Sequence, residues 1–197
     1  MVPLNPITIA FIGLFIGLWI EGMAFMGAYP EQEGAAPVAP TLALGGFLLA
    51  GVTMLFGSLW SILSTRVPVE GNPLALAEIP LLVSGILGVY GFVLLVAGIA
   101  QFNGWDLRPA GQMAIAGAIL QAFMTPALVI ALTGALGASG LITGLTIALV
   151  IFIVLLVGLF LLVNGKLGLK PVGVVCLLAS LAALWVALGF TGAVPLL

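Results

Sequence analysis

Histidine is absent from this sequence, and charge nearly so: four Lys or Arg and six Asp or Glu are spread over 197 residues. Without histidine the chain lacks the commonest metal ligand and the commonest acid–base group. A metalloenzyme or a Ser–His hydrolase is therefore not expected, and neither a metal nor a cofactor. The single cysteine, Cys176, sits in an apolar run with no metal-ligand partner nearby. It cannot form an intrachain disulfide and reads as a small core residue. With a net charge of −2 there is no basic patch for nucleic acid.

The shortage of charge decides the solvent. Soluble domains carry about 25% charged and about 45–50% apolar residues. Here 5% of residues are charged and 63% hydrophobic, with a mean hydropathy of +1.42. So few charges cannot coat a surface in water, which leaves lipid as the expected solvent. A bilayer core takes roughly 20 apolar residues per helix, so the length allows about six spans and no soluble domain. The first run lacks a basic segment before it and is as long as a full span, so a first transmembrane helix is expected rather than a cleavable signal.

Six apolar runs follow one another: about 7–29, 41–64, 76–101, 110–133, 142–163 and 172–196. Each is expected to be helical, because lipid offers no partner for unpaired backbone amides. The fold class is thus all-α, a polytopic membrane protein with six transmembrane helices in one bundle. Orientation follows Lys and Arg. Arg108, Lys166 and Lys170 fall in the odd loops and Arg66 alone in the even ones. That predicts odd loops in the cytoplasm and both termini outside. Small residues at four-residue spacing, Gly13 and Gly17, Ala114 and Ala118, Gly140 and Gly144, predict close helix approach.

Few residues can carry chemistry. Glu21, in "LWIEGMAF", falls near the middle of the first run, slightly toward the inside. An ionised carboxylate there is costly and should face the bundle interior or water. It reads either as a pore-lining or proton-coupling group, or as a glutamate bonded to a neighbouring helix for structure. Glu78 reads as an interfacial residue near a helix start. Gln121 and Thr125 share a face one turn apart, and Pro126 loosens the backbone beside them. Such a face suits a solute pathway or interhelical hydrogen bonding. Gln101 and Gln112 lie nearer the ends and read as interfacial. Trp19, Tyr90, Phe92, Phe123, Phe152 and Trp185 fall within spans, where rings either narrow a pore or pack. Asp106 and Arg108, in "NGWDLRP", read as a structural loop at the membrane surface, with Trp105 in the interfacial belt and Pro109 opening the next helix.

The same loop carries a resemblance. "YGFVLLVAGIAQFNGWDLRP" is similar to the third-helix end and following loop of the UreI/AmiS urea and amide channel family. "APTLALGGFLLAG", with Gly45 and Gly46, resembles that family's second-helix start. "PVEG" resembles its second loop, and "NGKLGLKP" falls where the family has an Asn…Leu-Gly-Lys-like loop. The order of these motifs agrees over most of the chain. The resemblance implies six helices, outward termini, a bacterial inner-membrane location and a homo-hexamer with one pore per protomer. Tyr90 and Leu94 fall where the family's third helix offers aromatic pore groups, so one of the two is kept. The family's first-helix Asn-Gly corresponds here to Glu21-Gly22. Its fifth-helix tryptophans and sixth-helix glutamate have no counterpart. Gating through loop histidines is excluded by their absence.

The expected function is passage of small uncharged solutes such as urea or short amides, without a covalent step. Glu21, Tyr90, Leu94, Gln121, Thr125 and Trp19 are the pore-lining or solute-binding candidates. A proton-linked carrier of acetate-like weak acids is the alternative, and "NPITI" resembles the Asn-Pro opening of such carriers. A structural subunit of a larger membrane complex is a third reading. The expected partners are a small solute, the lipid bilayer and copies of the chain.

Overall fold

The computed structural model describes residues 6–29, 38–64, 73–136 and 140–190. Within them the apolar runs form α1 (Pro6–Phe25), α2 (Val38–Ala43), α3 (Leu49–Ser64), α4 (Pro73–Asn103), α5 (Arg108–Leu136), α6 (Gly140–Val163) and α7 (Leu169–Phe190). A π-helical turn, Leu44–Leu48, joins α2 to α3. No strand occurs among the described residues. Six helical stretches are long and apolar enough to cross a membrane. The loop residues Glu31, Glu33 and Arg66, and Asn5 of "NPITI", lie outside the described residues.

Two expectations about the helices change. The first run ends as a helix at Phe25, short of Tyr29. Gly27 takes a left-handed conformation, φ 86°. The N–H of Ala28 then bonds to Met23 O, and that of Gly27 to Ala24 O. This crossed pair of hydrogen bonds is a Schellman cap, which satisfies carbonyls that the helix end would leave open. Gly104 and Gly165 close α4 and α6 in the same way. Asn103 and Asn164 each add a side-chain bond back to the carbonyl four residues earlier, Ile99 and Phe160. The three caps precede the odd loops, so they share one end of the bundle, referred to below as the capped end.

The second run is not one continuous helix. Gly46, at φ −91° and ψ −109°, leaves the helical region and breaks it. A glycine tolerates that backbone, and a π turn takes up the offset. Pro80 and Pro126, by contrast, lie inside α4 and α5 without ending either.

The spanning helices close into a ring in the order α1, α3, α4, α5, α6, α7 and back to α1. Among the described residues, no two helices on opposite sides of it pack backbone to backbone. Glycines set the tightest contacts around the ring. Gly51 lies against the Leu95 backbone, Gly91 against Leu55 and Gly98 against Leu48, which joins α3 closely to α4. Gly17 faces the Gly46 carbonyl and Ala50, and Gly144 lies under the Trp185 ring. Of the small-residue pairs read from the sequence, Gly17 makes a backbone-level contact, whereas Gly13 and Gly144 meet the side chains of Thr53 and Trp185. The outer surface is apolar, with Phe92, Phe123, Ile130 and Leu178 exposed.

Candidate functional site

A ring of helices has an inner face, and its buried polar side chains mark what that face can do. At the capped end stands Glu21, fully buried and about one turn before the end of α1. This is nearer the helix end than expected, because α1 stops at Phe25. Its Oε1 accepts a long hydrogen bond, 3.4 Å, from the Phe47 N–H that the π turn sets free. The fit is close: a Cβ on Gly46 would fall on the Glu21 carboxyl, 2.6 Å from Cγ and 2.7 Å from Cδ. The side-chain amide of Gln101 lies within hydrogen-bonding reach from α4. Cys176 on α7 is also buried, beside Leu177, against which Gly22 packs. Because α4 and α7 do not pack against each other, a group near both stands inside the ring. Neither Glu21 Oε2 nor Gln101 Oε1 has a hydrogen-bond partner among the described residues.

Aromatic rings fill the middle. Phe152 of α6 stacks on Phe11 of α1, with centroids 6.4 Å apart, and meets Tyr90 of α4 edge-on at 5.5 Å. These contacts cross the ring, since α6 packs backbone to backbone with neither α1 nor α4. Leu94 is fully buried one turn from Tyr90. Gln121 and Thr125 of α5 are also buried. Gly117 lies against Val89 and Val93, and Gly85 lies against Met124. Those contacts bracket Gln121 at nearly the depth of Tyr90. The Tyr90 hydroxyl, both polar atoms of the Gln121 amide and the Thr125 hydroxyl have no hydrogen-bond partner among the described residues.

Beyond the aromatic cluster, toward the end opposite the caps, the interior of the ring turns apolar. A cavity of about 30 Å³ is lined by residues of four helices, Phe11, Leu87, Leu128 and Leu149 among them. Thr8, buried on α1, adds one further unpartnered hydroxyl on this side.

The structure therefore gathers Glu21, Tyr90, Leu94, Gln121 and Thr125 on the inner face. Trp19 does not join them. It is 40% exposed on the outer surface and packs on Phe15. Four residues of helix separate Glu21 from Gly17, whereas Trp19 points away from both, so the helical period alone puts it outside. Phe92 and Phe123 are outward too, and Trp185 covers Gly144 at an outer groove between α6 and α7. Gln101, read as interfacial, belongs beside Glu21, while Gln112 is exposed. Phe11 and Gly46 carried no functional reading in the sequence. Phe11 is one apolar residue in an apolar run, and the break at Gly46 follows from tertiary contact. The Glu78 side chain lies outside the described residues.

Asp106 and Arg108 make a structural loop outside the ring. Asp106 Oδ1 accepts from the Arg108 N–H at 2.9 Å, and the Arg108 guanidinium reaches both carboxylate oxygens. This caps the start of α5. The hydrogen-bonded Arg108 side chain holds the Asp106 carboxyl below the ordinary carboxylate range. No metal-ligating cluster of His, Cys, Asp or Glu occurs among the described residues.

The chain matches no family model, no curated protein and no solved structure in the three comparisons made.

Proposed function

We propose that the protein is a multi-pass membrane channel that lets small uncharged polar solutes, such as urea or short-chain amides, cross passively. One observation carries this reading: six apolar helices form a ring whose inner face holds buried polar side chains without protein partners. A buried polar group lacking a hydrogen bond is destabilising, so such groups are retained for what they bind. A narrow, mostly apolar lumen excludes ions through their desolvation cost. Glu21, Gln101, Gln121, Thr125 and Tyr90 in turn replace hydrogen bonds that a neutral solute leaves behind in water. Phe11, Phe152 and Tyr90 form the constriction, and a solute passes when these rings turn aside.

Arg108, Lys166 and Lys170 all lie at the capped end, exposed. The positive-inside rule puts that end in the cytoplasm and the termini outside. The motif resemblance supports urea or amides as the solute class, a bacterial inner membrane, and a homo-hexamer. Stopped-flow light scattering on proteoliposomes tests the reading. Urea and acetamide fluxes above those of empty liposomes, non-saturating and indifferent to a proton gradient, are expected. Fluxes equal to those of empty liposomes would sink it.

Glu21 favours a second reading. A fully buried carboxyl in the lumen suits proton exchange, as in a proton-linked carrier of acetate-like weak acids. Acetate uptake that follows a proton gradient and vanishes in Glu21→Gln would move the protein to that class.

A further inference from the structure

The unpartnered atoms of the lumen differ in kind from one end to the other. Around Gln121 they include donors and acceptors: an amide nitrogen, an amide oxygen and two hydroxyls. At the capped end both are oxygens, Glu21 Oε2 and Gln101 Oε1. We propose that Glu21 and Gln101 form a binding station at the helix break that selects solutes presenting N–H donors.

Three features support the assignment. The first is the polarity of the bonds already made: the Phe47 N–H donates to Glu21, and the Gln101 amide lies beside it. A donor on one side suits a carboxyl acting as acceptor, and in its ionised form that carboxyl accepts only. With its amide nitrogen toward Glu21, Gln101 has its carbonyl to offer, also an acceptor. The second is the lack of a countercharge. The described cations Arg108, Lys166 and Lys170 stand exposed at the end of the bundle, and Cys176 and Phe47 bring no charge to Glu21. The third is position. Glu21 lies inside the ring, between α4 and α7, so a solute moving along the lumen meets it. With Glu21 ionised, the two acceptors attract N–H groups and repel a carboxylate. An amide NH2 and an ammonium share that chemistry. The station's place on a transport route rests on the channel reading above.

The test uses the full chain and has two parts. In proteoliposomes, fluxes of urea, methylammonium, glycerol and acetate are measured for the native protein, Glu21→Gln and Gln101→Met. Glu21→Gln keeps the volume and the acceptor for Phe47, but can place an NH2 where Oε2 stands. The expected result is a urea-to-glycerol flux ratio about tenfold lower in both variants. A ratio within twofold of native in both overturns the station while leaving the channel intact. Urea flux without methylammonium flux identifies the neutral amide as the solute. Methylammonium flux alone keeps the station but defeats the uncharged-solute channel. If nothing crosses, the channel reading fails, and the second part decides. In detergent, methylammonium or acetamide at saturation should raise the unfolding temperature of the native protein, and not of Glu21→Gln. Matched potassium chloride serves as control. No rise with either compound, or an equal rise in Glu21→Gln, overturns the station.

Discussion

Two of the regions in which this molecule buries polar groups treat them differently. In the seam between α3 and α4, Ser58 Oγ donates to Ser84 O at 2.9 Å, Ser84 Oγ donates to Ser58 O at 3.0 Å, and the hydroxyls lie 3.1 Å apart. Each serine answers the other, and neither hydroxyl is left without a partner. On the inner face of the ring, Tyr90, Gln121 and Thr125 are buried as deeply and have no such answer. Polar groups that only join helices satisfy one another. Those on the inner face are held apart by the ring and have no protein partner among the described residues.

The largest perturbation of this contrast is at its centre. Phe152 touches both Phe11 and Tyr90 across the ring. Phe152→Ala should cost about 3–5 kcal/mol of stability, as large-to-small core changes do, and at the same time raise urea and water flux severalfold. Thermal unfolding in detergent and stopped-flow measurements on one preparation check both. Lost stability without a gain in flux would mean that Phe152 is core packing and not the constriction.

Gly46→Ala comes next. Its methyl group would fall on the Glu21 carboxyl, an overpacking change that typically costs about 1–3 kcal/mol. Urea flux should fall with it, because Glu21 is displaced from the Phe47 N–H. Pairing the change with Glu21→Ala, which clears the space, should recover most of the unfolding temperature but not the flux. No recovery would place the strain in the Gly46 backbone instead.

How far the sequence could foretell this contrast depends on the solvent. Six apolar runs and the glycine-ended turns "NGWDLRP" and "NGKLGLKP" were legible, since backbone amides in an apolar medium leave helices as the one option. Glu21, Gln121 and Thr125 stood out as polar residues in apolar surroundings. Sidedness was legible only where a polar residue anchors the helical period, as Glu21 does for Trp19. Lipid is as apolar as a helix core, so hydropathy alone does not turn Phe152 inward and Phe123 outward. Gln101 was misplaced for another reason: it is close to the end of α4, yet Glu21 is close to the end of α1, and the two ends meet. The break at Gly46 depends on a side chain 25 residues away along the chain, which no local pattern contains.

The seam and the lumen can also be compared by deleting a polar group from each. Ser84→Ala should lower stability by about 0.6 kcal/mol, the average for interhelical hydrogen bonds in membranes, and by no more than about 1.7. Flux should be unchanged. Gln121→Leu keeps the volume and removes two unpartnered atoms, so stability should hold or rise while urea flux drops. Equal effects of the two substitutions on flux would erase the distinction drawn here.

The smallest effect is expected outside both regions. Asp106 is exposed in the loop before α5, with its carboxyl held below the ordinary range by the hydrogen-bonded Arg108 side chain. A carboxylate depressed in the folded state adds stability above its unfolded pKa, and that contribution is lost as pH falls through the folded value. The native protein should therefore lose slightly more unfolding temperature than Asp106→Asn between neutral pH and the acid side of the carboxylate range. Salt should shrink the difference, since the pair is open to solvent. Urea flux should be the same in both at neutral pH, because the loop lies outside the ring. A change in flux with unaltered unfolding would tie this hairpin to the inner face, and the division between structural and inner-face polar groups would then have to extend to the capped end of the bundle.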